Sequence, residues 1–265
     1  MELISVHVPK TAGSTFGNFL TELYGTDRVF KDYDDYAMNP LSPINRDRPA
    51  WRVSADQQIR SLGQEFVVVH GHFAIEKYQG VFPEARRIAW VRHPVAWVIS
   101  LFHFWKNKPL VHTSTTNPLI RRLQHENLPF AEFIEDPTVR NSVSRIFLGG
   151  LPPDEYDFLG VQEHFNDDLV ELIEMMGWPA LQPGFENKNP APDYDARLRE
   201  IHDDPRIFDR LLALNEADLT LYETALKLRS QRIKSRQEQA DRLDARCSIL
   251  GGMNRDPNDR SSRVA

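Results

Sequence analysis

One cysteine, Cys247, in 265 residues leaves no internal disulfide and no cage of thiolate ligands, and it fits a reducing compartment. Long apolar runs are missing too. None approaches the roughly 18 residues of a membrane span, and the opening apolar stretch is too short for a signal peptide. The chain is therefore expected to be soluble and cytoplasmic, with no transmembrane segment. Positive charge is in short supply, with 32 Lys+Arg against 38 Asp+Glu and a net charge of -6. That balance excludes a surface built to coat nucleic acid, so any bound anion must be held by a local cluster. The Walker A spacing of Gly, four residues and Gly-Lys-Ser/Thr does not occur, which counts against an ATPase or kinase of that type. There is no internal repeat. The 41% hydrophobic and 26% charged residues are ordinary for a globular protein.

What is present alternates between strand and helix signals, the pattern of an α/β fold with a central, mainly parallel sheet flanked by helices. Strands are expected at Leu3–Val8, Phe66–Val69, Ile88–Val91 and Phe158–Val161. Helices are expected at Ser14–Tyr24, after Pro94, and over Phe130–Leu148, His164–Met176 and Pro205–Leu228. "DYDDYAMNPLSPINRDRPAW" reads as a long surface excursion, and "KNKPLVHTSTTNP" as a second loop. From Arg229 the apolar stripe fades, so a solvated helix is expected, with disorder in "GGMNRDPNDRSSRVA". The economical division is one domain over 1–228 and a charged helical extension and tail over 229–265.

Two segments look built for anions. In "HVPKTAGSTF" a strand runs through a loop into a helix, whose first N–H groups and positive dipole end suit phosphate oxygens. Gly13 permits close backbone approach, Thr11, Ser14 and Thr15 add hydroxyls, and Lys10 can reach over the anion. In "WVRHPVAWVIS", Arg92 ends a strand and Ser100 lies eight residues on, so a planar guanidinium and a helix hydroxyl could grip one phosphate from two sides. Taken alone, each segment is also what an ordinary capped helix would look like. Between them stand His70 and His72, at alternating positions and so on one face. As a pair at a strand mouth they suit acid–base work, because histidine titrates near neutral pH.

Together, in this order, the segments resemble the sulfotransferases that use 3′-phosphoadenosine 5′-phosphosulfate (PAPS). "PKTAGST" is similar to their 5′-phosphosulfate loop and "RHPVAWVIS" to their 3′-phosphate motif, with His93 where many relatives have aspartate. "HGHF" resembles the carbohydrate group that includes heparan sulfate 2-O- and 6-O-sulfotransferases, as do "FLGVQEHFNDDLVELIEMMGW" and "NEADLTLYETAL". The likeness runs discontinuously from Leu3 to about Leu228. It implies a P-loop-like strand-loop-helix fold in a soluble, bacterial-type enzyme without the membrane anchor of Golgi relatives.

The resemblance also assigns roles. His72 matches the general base that takes the acceptor's proton, while His70 would orient it or contact the acceptor. Lys10 would neutralise charge on the oxygen between sulfur and phosphorus, within a loop of Lys10, Thr11, Ala12, Gly13, Ser14 and Thr15. Arg92 and Ser100 would hold the 3′-phosphate, and Lys188 in "FENKNPAP" would touch a phosphate. No metal is called for, and a set of His70, His72 and His103 lacks a completing carboxylate or cysteine. Glu163 reads as a carboxylate anchoring the sheet edge. The acceptor is expected to bear a hydroxyl on a glycan or glycolipid, with no nucleic acid involved. The alternatives are a nucleotide-dependent phosphotransferase and a nucleotide- or glycan-binding protein without activity.

Overall fold

Leu3–Val6 is buried at every position, as a strand is when helices cover both of its faces. This strand, β1, is the middle of a five-stranded sheet ordered β2-β3-β1-β4-β5. The others are β2 (Val29–Asp32), β3 (Val68–Gly71), β4 (Arg86–Val91) and β5 (Phe158–Val161), and every pairing is parallel. The computed structural model describes residues 1–33, 37–107, 117–179, 199, 201 and 203–253.

Helix α1 (Gly13–Tyr24) follows β1. Helices α2 (Pro43–Arg46) and α3 (Arg48–Glu65) lie between β2 and β3, and α4 (Glu76–Gln79) between β3 and β4. After β4 come α5 (Pro94–Asn107), α6 (Pro118–His125), α7 (Phe130–Phe133) and a π-turn at Val143–Phe147. Beyond β5 lie α8 (Phe165–Met176), α9 (Pro205–Leu214) and α10 (Glu216–Met253).

Strand alternation sorts the core into two layers. Leu3, Val68, Ile88, Trp90 and Phe158 pack with Phe16, Phe19 and Leu20 of α1 and Phe165, Leu169 and Leu172 of α8. Ile4, Val6, Val69, Ala89, Val91 and Leu159 belong to the opposite layer, with Trp97, Val98 and Leu101 of α5. Each such side chain is worth about 1.5–3 kcal/mol when fully buried. The chain leaves β1 for β2 on one side of it and later enters β4 on the other. Connections therefore diverge above the carboxyl end of β1, where open parallel sheets form their ligand crevice.

Several expected boundaries move. Strand β1 ends at Val6 rather than Val8, and β3 extends through His70 to Gly71. The supposed surface excursion holds α2 and the start of α3 and sends Ala37, Met38, Ile44 and Trp51 into the core, followed by Ile59 further along α3. Its proline is a start signal: the Asp47 side chain accepts from the Ala50 N–H at 3.1 Å, with Pro49 in the first turn of α3. Strand β2 was not expected. The helix anticipated over Phe130–Leu148 is interrupted, because Asp136 precedes a proline, which disfavours helix there, and Asn141 is left-handed with φ 49°. The helix expected over Pro205–Leu228 breaks at Asn215, whose side chain donates to the Leu211 carbonyl and accepts from the Asn141 N–H.

The chain divides into two units, 1–226 and 227–265. The first contains the sheet. The second is helical through Met253, so the segment expected to be disordered begins as helix at Gly251 and Gly252, and 254–265 lie outside the described residues.

At the carboxyl end of β2, buried Asp32 accepts from Lys77 Nζ and from the Tyr78 hydroxyl, each at 2.7 Å. Its own carbonyl accepts the His72 N–H at 2.9 Å. Removing the carboxylate strands a largely buried ammonium, so Asp32→Ala should destabilise the fold by about 3 kcal/mol. Asp32→Asn should cost less, since an amide can still accept from Tyr78. Urea midpoints of the two variants check the order.

Candidate active site

The loop expected to take an anion is backbone held in an unusual shape. Lys10 and Ala12, on either side of Thr11, have φ 66° and 65°, a left-handed conformation that costs a non-glycine residue roughly 1–2 kcal/mol. Three side chains brace it. The Thr11 hydroxyl donates to the Val8 carbonyl at 2.8 Å, Trp97 Nε1 to the Pro9 carbonyl at 2.7 Å, and Arg92 Nη1 to the Lys10 carbonyl at 3.3 Å. With those carbonyls engaged, the loop is held in its left-handed turns. Helix α1 starts there, and its N-cap, Ala12, makes no side-chain cap. The dipole end of α1 therefore begins without a hydroxyl of its own cap residue to satisfy it.

Each expected loop residue has a definite place. Lys10 is half-buried, its Nζ 4.4 Å above the Phe104 ring of α5, a cation–π contact that holds the ammonium. Thr11 and Thr15 are buried, Gly13 is enclosed, and Ser14 is exposed. Arg92 stands directly after β4, and its bond to the Lys10 carbonyl joins the two anion segments. Ser100 is buried in α5, the helix whose Trp97 also pins the loop. His93 donates its N–H to Glu163 at 3.0 Å, so this carboxylate ties the end of β5 to the end of β4. Lys188 lies outside the described residues.

The histidines follow from strand register. Ser5 of β1 is opposite His70 of β3, and Ser5 Oγ lies 2.8 Å from His70 Nδ1. Both face α1, where Gly17 leaves room: a β-carbon there would sit 2.6 Å from His70 Nε2. His70 is 1% exposed. Burial pushes its pKa from an ordinary 6.5 down to about 4, only partly opposed by the Gly13 backbone. His72, two residues on, is past the strand end and only partly buried.

Two members of the cluster escaped the sequence reading, His7 and Tyr33. Two residues beyond Ser5, His7 donates its N–H to the Gly71 carbonyl at 2.8 Å, so its ring falls beside those of β3. Its centroid is 4.3 Å from His72 and 5.1 Å from His70. Tyr33, just past β2, places its hydroxyl 3.1 Å from His7 Nδ1 and its ring edge-on to His72 at 4.8 Å. Burial first, then the charges of His72, His70 and Lys10, holds His7 well below the usual histidine range. The period-2 spacing of Ser5 and His7, set against that of His70 and His72, carries the signal for His7. Tyr33 needed β2 to be recognised. His103 packs on Phe102 elsewhere on α5. Among the described residues, no group of three or more His, Cys, Asp or Glu side chains is arranged to hold a metal ion.

No protein-family model and no curated protein sequence matches the chain. Among solved structures it is similar to a sulfotransferase from Alicyclobacillus acidocaldarius at 14% identity. That match covers 84% of this chain and 99% of the other, with a TM-score of 0.39. It is also similar to mouse sulfotransferase SULT7A1, solved in complex with PAP, at 11% identity. There the match covers 85% of this chain and 88% of the other, with a TM-score of 0.40.

Burial of neutral histidine predicts a pH dependence of stability. Between 6.5 and about 4 the unfolded chain binds a proton that folded His70 refuses. Stability from this group is therefore full above pH 6.5 and is lost as pH falls toward 4, at up to about 1.4 kcal/mol per pH unit. His7 acts in the same direction. Urea unfolding at neutral and mildly acidic pH should show the loss, and His70→Gln should show less of it.

Proposed function

We propose that the chain transfers the sulfuryl group of PAPS to a hydroxyl acceptor by in-line displacement. The observation that carries this reading is the joining of three chemistries at one sheet edge. A left-handed anion loop bearing Lys10 is tied through its carbonyl to Arg92, and a partly exposed His72 stands beside it, with His7 in contact between them. The donor, when bound, supplies a sulfuryl group already activated on a phosphosulfate bridge.

The residues present fit that donor. The loop from Lys10 to Thr15 and the first turn of α1 would take the 5′ end, and Arg92 with Ser100 the 3′-phosphate. Thr11 supports through the Val8 carbonyl rather than by pointing its proton at a ligand. Lys10, held over Phe104, would stabilise the charge that develops on the bridging oxygen. His72 removes the acceptor's proton, for which its partial exposure suits it. His70, enclosed and bonded to Ser5, positions rather than touches the acceptor. Sequence resemblance in "HGHF" favours a sugar hydroxyl, on a glycan or glycolipid, and the single cysteine favours a cytoplasmic setting. Among the described residues, no helix is long and apolar enough to cross a membrane.

Three variants test the reading. Arg92→Ala should weaken binding of 3′-phosphoadenosine 5′-phosphate by at least about tenfold, the worth of a charge-assisted hydrogen bond, while adenosine 5′-phosphosulfate, which loses only the brace on the Lys10 carbonyl, should weaken clearly less. Equal losses for the two nucleotides would remove Arg92 from the 3′-phosphate. Lys10→Ala should lower turnover at saturating PAPS more than it lowers affinity. His72→Ala should retain nucleotide binding and lose roughly 10²–10⁴ in rate. Normal turnover in that variant, measured as sulfate transfer across a panel of glycans, lipids and small alcohols, places the base elsewhere. Thermal stabilisation by ATP with magnesium, and not by the bisphosphate alone, would point to a phosphotransferase instead.

A further inference from the structure

We infer that His7 is a positioning residue of this site, held by Tyr33 in the tautomer that carries its proton on Nε2, and that it fixes the ring of His72 against the anion loop. The inference rests on the reading of His72 as the base.

The ring of His7 is confined on every side that matters. Its Nδ1 edge meets the Tyr33 hydroxyl at 3.1 Å. Its opposite edge lies on the first residue of α1: a β-carbon at Gly13 would fall 1.8 Å from Cδ2 and 2.3 Å from Nε2. Only glycine fits between this ring and the start of the helix. One neighbour is His70, near parallel at 20° and 5.1 Å, itself pinned by Ser5. Another is His72, tilted 57° at 4.3 Å. The backbone N–H of His7 is bonded into β3 at Gly71. A ring flip would turn a carbon toward the phenol and forfeit the hydrogen bond, so one orientation is selected.

The direction of that hydrogen bond follows from relative acidity, since a neutral imidazole also carries an N–H: a phenol O–H is the stronger acid and an imidazole nitrogen the better acceptor. Burial pushes the Tyr33 phenol up to about 12 and holds His7 well below its usual range. At neutral pH both groups are uncharged. The phenol donates, Nδ1 accepts, and the imidazole proton resides on Nε2, the edge beside Gly13. Tyr33 also touches His72 directly, edge-on at 4.8 Å. The phenol thus sets His7, and both rings together set His72. Lys10 is the charged group that His7 feels from the loop itself.

The test uses the full chain labelled with nitrogen-15, near neutral pH, with the His7 signals assigned by their disappearance in His7→Gln. A long-range proton–nitrogen correlation spectrum should show a protonated Nε2 and an unprotonated Nδ1 for His7. In Tyr33→Phe the two tautomers should mix and the ring resonances of His72 should move. Turnover should fall about fivefold, the worth of one neutral hydrogen bond, with affinity for the bisphosphate nucleotide unchanged. A proton on Nδ1 in the wild type overturns the inference. So does a Tyr33→Phe variant whose His72 resonances stay where they were. If the wild type transfers no sulfate, the parent reading fails, while the nitrogen shifts and the His72 resonances still decide this one.

Discussion

Everything at the candidate site depends on the parallel register of β3, β1 and β4. Parallel pairing brings the carboxyl ends of three strands to one edge, so loops far apart in sequence emerge as neighbours. Ser5 opposite His70 then sets the pairing two residues on, where His7 stands by His72. A slip of one residue would turn Ser5, His7, His70 and His72 to the other face, into the layer of Trp97 and Val98. Leu3, Ile4, Val68 and Val69 would be buried in either register, so what opposes the slip is the polar pair, whose hydrogen bond and the room that Gly17 leaves for His70 would both be lost. The chemistry therefore helps to set the register of the strands that carry it.

Helix α1 must accommodate polar rings where it would otherwise pack on aliphatic side chains. It does so with two glycines one turn apart. Gly13 makes room for His7 and Gly17 for His70, and from Phe16 onward the helix returns to ordinary aromatic packing with Trp90. Glycine inside a helix costs about 0.5–1 kcal/mol relative to alanine, and two left-handed residues in the loop add to that. Such local costs are tolerated where function needs the geometry, with compensation in the surrounding core. Here the compensation is visible in Trp97, Thr11 and Arg92, each donating to one loop carbonyl.

The sheet and the two anion segments could be read from sequence because they rest on local signals: β-branched runs, a glycine-and-hydroxyl loop, and an arginine at a strand end. The β5 bounds, Phe158–Val161, agree with expectation to the residue. What escaped depended on partners distant in sequence. Val29–Asp32 is a short run that becomes a strand only by pairing with β3, and without it Tyr33 has no reason to meet His7. The stretch before Trp51 reads as loop because its prolines and aspartates resemble turn punctuation. In fact Asp47 and Pro49 begin a helix, and the difference lay in the apolar residues that follow, Trp51 and Ile59. His7 sat in plain view in "HVPKTAGSTF", yet a histidine at a strand end has no evident role until the neighbouring strand is known.

The proposed function asks an acidic chain to hold a polyanion. A net charge of -6 acts at long range, and mobile ions screen it over about 8–10 Å. The site relies on groups inside that distance. Lys10 is half-buried over an aromatic ring, Arg92 is partly sheltered and tied to the loop, and the start of α1 adds a fixed dipole that needs no counter-ion. In the reduced dielectric of a crevice each of these is worth several times what it would be in bulk water. Two cations and a helix end, placed by strand register, can therefore outweigh six excess carboxylates spread over the surface. The overall charge then bears on solubility, and the local arrangement alone bears on what is bound.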